Sequence, residues 1–234
     1  MSVERPTRAK LPARGFGREG VEALSAERGE PSWVLEKRYE GWYHYAEMEP
    51  PLWRRTDVGK LMWEQLIPYA PPQAPVQDLA ALPPKLHEAV RVYGQRAGLL
   101  LQRDSAAVYL DLAEGLKEQG VLWLDLATAV REHPDLVQQY LMAEAVPANT
   151  DKYTALHAAF WSGGTLLYVP ENVAVELPFV SVLWQEMPEL AVFPHTLLIA
   201  GAGSQVTLVS ELLSMGCEAC PDTYHGGVTE LYLG

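Results

Sequence analysis

Three look-alike segments in the last third of this 234-residue sequence restrict its architecture more than any other feature. They are Thr165-Leu166-Leu167-Tyr168-Val169-Pro170, Thr196-Leu197-Leu198-Ile199-Ala200-Gly201 and Thr229-Glu230-Leu231-Tyr232-Leu233-Gly234. Their first residues stand 31 and then 33 positions apart. Short strand-forming runs at a near-fixed period, each closed by a turn residue, are what a β-solenoid needs, because each coil offers its backbone groups to the next. The competing arrangement is a β-sandwich, whose strands look alike because Leu, Val and Thr are common in strands. In a solenoid the third copy leaves an unpaired strand edge. The chain is therefore expected to be truncated, with its open end meeting a second copy or further polypeptide.

Ahead of the repeats the pattern is helical. Residues 1–28 mix Arg, Gly and Pro without apolar periodicity and read as a mobile arm. Leu35, Tyr39, Trp42, Tyr43 and Ala46 share one helical face, with Ser32 as the expected N-cap and Pro50-Pro51 as the stop. Six prolines in the seventeen residues from Pro68 to Pro84 predict an extended strap. Beyond it, Leu86, Ala89, Val90 and Tyr93 predict a short helix, Ala106 to Leu110 and Val121 to Leu124 predict strands, and helical faces flank His133-Pro134. Asp151 caps a further helix through Tyr153, Leu156, His157 and Phe160, ending at Gly163-Gly164. Val173, Val175 and Leu177 then alternate with Ala174 and Glu176 as a strand would. The expected class is α+β: an arm at 1–28, a helix-rich domain at 29–150 with its strap at 68–84, and at 151–234 the first coils of a right-handed parallel β-helix.

Charge narrows the partners. Lys and Arg total 18 against 30 Asp and Glu, and a net charge of -12 repels phosphate backbones, so nucleic acid is not expected as a ligand. Residues 153–234 hold eight acidic side chains and no Lys or Arg, a one-signed surface suited to a basic partner or to plain solvation. No apolar run reaches the roughly 18 residues of a membrane span, and the first residues lack the apolar core of a secretion signal; a cytoplasmic location is expected.

Candidate chemistry is sparse. Cys217-Glu218-Ala219-Cys220 has the spacing that lets two sulfurs face one metal, and His225 supplies a third candidate ligand nearby. A structural zinc site needs four ligands, so Cys217, Cys220 and His225 make an incomplete set. His157 lies among apolar helix positions, where a hydrogen-bonded core role is the commoner one. No P-loop, dinucleotide-binding glycine motif, nucleophile elbow or HExxH is present, and catalysis by this chain is not expected.

The run from Lys152 through Phe160, Gly163-Gly164 and Tyr168-Val169-Pro170 to Val173 resembles the SufB/SufD family of iron-sulfur cluster assembly proteins. The likeness continues through His195 to Ala200 and His225 to Glu230, and an earlier stretch, Gly29 to Arg38 followed by Pro51-Leu52-Trp53, is similar to the family's N-terminal helix. The resemblance implies a parallel β-helix behind a helical region, and a non-catalytic scaffold that pairs with a SufB-like subunit and a SufC-like ATPase. It implies an iron-sulfur cluster on the full complex and no cofactor in this chain. SufB proteins typically carry Glu-Gly-Cys where this chain has Glu211-Leu212-Leu213, which puts it on the SufD side. A homodimer through the open β-helix end is the other partnering the sequence allows. Rival functions are a β-helix enzyme acting on carbohydrate, with Glu171 and Glu176 as the nearest carboxylates, and a small thiol or metal module around Cys217, Cys220 and His225.

Overall fold

A computed structural model describes residues 12–71, 73–214 and 223–234. Within the expected arm, Arg18–Arg28 forms a helix, α1, because Val21 and Leu24 reach the core together from one face. Gly29 at φ 60° ends it, its amide returning to the carbonyls of Ser25 and Ala26. Helix α2, Ser32–Glu47, starts one residue earlier than expected: Pro31 occupies the N-cap, and Ser32 is the first helical residue. Three further short helices, α3 (Pro84–Val92), α4 (Leu126–Glu132) and α5 (Pro134–Tyr140), precede α6 (Lys152–Phe160). Asp151 caps α6 through the amides of Tyr153 and Thr154, while the Thr154 hydroxyl accepts from the Asp151 amide.

α2 and α6 cross at Gly41. A Cβ there would stand 2.6 Å from the Ala158 Cβ and 2.7 Å from the Ala159 amide nitrogen, so only glycine lets the backbones meet. Gly41→Ala should destabilise by about 1–3 kcal/mol, outweighing alanine's helix propensity, because the obstacle includes backbone. The check is a lower urea midpoint at unchanged m-value.

The strands are β1 (Gly98–Arg103), β2 (Ala106–Leu112), β3 (Leu122–Asp125), β4 (Gly164–Val169), β5 (Phe179–Gln185), β6 (Ala191–Val192), β7 (His195–Ala200), β8 (Leu208–Ser214), β9 (Tyr224–His225) and β10 (Val228–Leu233). They form sheets of order β2-β1-β5-β8 and β10-β7-β4-β3, with a two-stranded β6-β9 pair. The three similar segments pair in register and in parallel, Thr165 with Thr196 and Thr196 with Thr229. β5 and β8 are likewise parallel, as are β6 and β9.

The fold is thus α+β with mixed sheets. A uniform stack of parallel coils is not what the two large sheets make, because β2 and β3 join them antiparallel at one edge each. β1 pairs in parallel with β5, so residues 98–103 share a sheet with residues 179–185. Residues 173–177 are not a strand: Ala174 makes only an isolated bridge to Gln205, and Leu177 is exposed. The proline-rich stretch is interrupted by a 3-10 turn at Leu79–Ala81, and it is pinned by Ile67 bridging Leu190, the Ala70 amide on the Ser105 hydroxyl and the Val76 amide on the Val108 carbonyl.

Strand alternation sorts the core into layers. Leu167, Val169, Leu198 and Ala200 point between the large sheets, against Leu100, Trp123, Val175 and Phe179. Leu166, Leu197 and Ile199 point the other way, onto the helices, where they meet Val21, Val34, Leu126, Val137 and Leu156. The outer face of β1 and β5 packs Leu99, Leu101, Val180 and Val182 against Leu86 and Val90 of α3. In the last strand of each large sheet the inter-sheet positions are bare: Leu212 is 50%, Leu231 57% and Leu233 77% exposed.

Candidate functional site

The helix-facing side of the second large sheet carries an internal polar chain. α6 brings His157, the start of β7 brings His195, and β10 brings Glu230; the three are buried. Glu230 is registered with Leu197, which is itself registered with Leu166, so the third repeat places a carboxylate where the first two place leucine. His157 Nδ1 lies 2.7 Å from the Gly226 carbonyl, His157 Nε2 lies 3.0 Å from His195 Nδ1, and His195 Nε2 lies 2.9 Å from Glu230 Oε2. The Met142 amide donates to Glu230 Oε2 at 2.7 Å and the Val146 amide to Oε1 at 3.2 Å. Met142 itself sits at φ 49°, a conformation that costs a non-glycine residue about 1–2 kcal/mol and that the carboxylate anchor offsets.

Proton counting fixes the charge of this chain. A carbonyl, two imidazoles and a carboxylate joined by three hydrogen bonds need three protons on the links, one more than two neutral imidazoles carry. Burial, reinforced by the neighbouring His195, holds His157 well below its usual range, and so His157 is the neutral ring. It donates from Nδ1 to Gly226 and accepts at Nε2. His195 then donates from Nδ1 to His157, and the third proton lies on the link between His195 Nε2 and Glu230 Oε2, whose carboxyl also accepts from two backbone amides. The chain is a charge-neutral tie that fastens α6 and the segment after α5 to β7 and β10.

A second buried ion pair fastens α2. Arg38, with no exposed surface, donates to both oxygens of Glu30 at 2.7 and 2.6 Å and to the carbonyls of Ala159 and Trp161 at 3.0 Å each. Its guanidinium carbon lies 4.4 Å from the Trp161 ring centroid. One side chain therefore closes the C-terminal end of α6, whose last carbonyls lack helical partners.

The sequence-expected ligands do not assemble into a described site. Cys217 and Cys220 lie outside the described residues; His225 ends β9 and is exposed. Among the described residues no three His, Cys, Asp or Glu side chains are arranged to hold a metal ion. Glu171 and Glu176 are both exposed. His157 is the hydrogen-bonded core histidine expected of its position, while the partnership with His195 and Glu230 went unanticipated. Its available signal was the leucine-to-glutamate change at one registered position of the repeat. Among the described residues no helix is long and apolar enough to cross a membrane.

Comparison with known proteins places this architecture. Residues 107–180 match the family profile described as the SufBD protein N-terminal region. The SufD iron-sulfur cluster assembly protein of Bacillus subtilis is 32% identical over 196 residues, which are 84% of this chain and 45% of that protein. The SufB protein of the same organism is 28% identical over 229 residues, 93% of this chain and 48% of SufB. A SufBD family protein of Mycobacterium tuberculosis H37Rv is 31% identical over 221 residues, 87% of this chain and 25% of that protein. The chain belongs to the SufB/SufD family of iron-sulfur cluster assembly proteins. Within that family it is SufD-like. It spans about half the length of the SufD and SufB relatives.

Proposed function

We propose that the chain acts in the cytoplasm as a non-catalytic scaffold subunit in iron-sulfur cluster assembly, pairing with a SufB-like subunit and a SufC-like ATPase. The observation that carries this reading is the bare end of the sheets. Among the described residues β8 and β10 are outermost in their sheets, and the inter-sheet side chains Leu212, Leu231 and Leu233 are exposed there. Apolar side chains at an open strand edge favour further polypeptide of matching register over solvent. In this reading the parallel runs β4-β7-β10, β5-β8 and β6-β9 are the opening coils of a right-handed parallel β-helix, and the cluster forms on the complex rather than on this chain.

The test is co-expression of the tagged chain with a SufB-type subunit and a SufC-type ATPase. Retention of both on the tag supports the scaffold; elution of the chain alone, or as a homodimer lacking them, counts against it. Leu231→Asp together with Leu233→Asp should abolish retention while leaving the free energy of unfolding within about 0.5 kcal/mol, as expected of exposed sites.

A further inference from the structure

Arg28, at the end of α1, has no bonded counter-ion among the described residues. Its Nη2 donates to the Ser105 carbonyl at 2.9 Å, and among the described residues its remaining N–H groups have no protein acceptor. The carboxylates nearby are engaged elsewhere: Glu30 with Arg38, Glu27 with the Tyr69 hydroxyl, and Asp125 with the Thr128 amide that it caps. Burial, and after it the charge of Arg38, draw the Arg28 guanidinium down to about 10. Arg28 is half-buried, and its unused donors are open to a ligand that reaches the surface beside it.

Beside it lies a cleft of about 190 Å³, lined by Arg28, Tyr69, Asp125, Glu27, Arg131 and Ala127. The space is large enough for a small organic molecule. Arg131, on α4, reaches it from an exposed position, using Nη2 on the Thr128 hydroxyl. The planar fork of a guanidinium matches the two oxygens of a carboxylate. Glu27 and Asp125 set a limit on the guest, since they oppose a dianion and attract an ammonium group.

We propose that this cleft binds a small carboxylate, held by the unused N–H groups of Arg28 with Arg131 at the rim. Two sources share this chemistry, a simple organic acid and a free α-amino acid, whose ammonium would face Glu27 and Asp125. The inference is independent of the scaffold reading and stands or falls separately.

Isothermal titration of the whole chain with sodium acetate and with alanine, against sodium chloride at matched ionic strength, tests it. Saturable binding of acetate or alanine, absent with chloride, is the expected result. Arg28→Gln should weaken that binding at least about tenfold, the worth of a charge-assisted pair. Ala127→Leu, which adds volume at a half-buried lining position, should also weaken it and guards against a misfolded arginine variant. Tighter binding of alanine assigns the amino-acid source, and equal binding the simple acid. No saturable binding of either probe, or binding unchanged in both variants, overturns the proposal.

Discussion

Arg38→Met should lower the free energy of unfolding by about 3–5 kcal/mol, the cost of breaking a buried ion pair from one side. The magnitude follows from what is left behind. Glu30, with a side chain only 4% exposed, would keep its charge and lose both of its donors, and the carbonyls of Ala159 and Trp161 would lose theirs. Glu30→Leu in the same chain should recover a good part of the loss, because a buried apolar pair of similar volume is often no worse than the ions it replaces. Urea unfolding of the single and double variants measures the coupling. Equal stability of wild type and Arg38→Met would show that this pair does not fasten α2 to α6.

Glu230→Leu should cost a similar amount, about 3–5 kcal/mol, although it restores the leucine of the first two repeats. The substitution strands the buried His195 Nε2 and Met142 amide and the half-buried amide of Val146. Acid should act on the same chain through His157. Its folded-state affinity for protons is depressed, so below about pH 6.5 the unfolded chain takes up a proton that the native chain refuses. Stability is therefore complete above that pH and declines as pH falls, by up to about 1.4 kcal/mol per pH unit for this one group. His157→Gln should flatten the decline between pH 6.5 and 5. An unaltered slope in that variant would place the acid sensitivity elsewhere.

The parts of the fold that depend on local pattern were readable from the residues. The repeated Thr-Leu-Leu and Thr-Glu-Leu starts pair in register as β4, β7 and β10, and Asp151 with Thr154 caps α6. β1 was not readable, because Leu99-Leu100-Leu101 is buried on both faces and shows no alternation. α1 was hidden by a polar sequence that needs only Val21 and Leu24 to anchor it. The antiparallel strands β2 and β3 were seen as strands, yet nothing local in them says which sheet they enter. The ties depend on distance along the chain: Arg38 meets carbonyls more than a hundred residues away, and Glu230 meets amides nearly ninety residues before it. The cleft gathers Arg28, Tyr69, Ser105 and Arg131 from four separate segments, and no motif search joins them.

The placement of β2 and β3 gives the molecule a direction. At the far side of each large sheet the final strand is antiparallel, and one of them, β3, is four residues long, a poor template for recruitment. The near side ends in the parallel strands β8 and β10. Among the described residues, each large sheet thus has two unlike edges, antiparallel pairing at one and parallel pairing at the other, so an added strand would meet a different hydrogen-bond pattern at each.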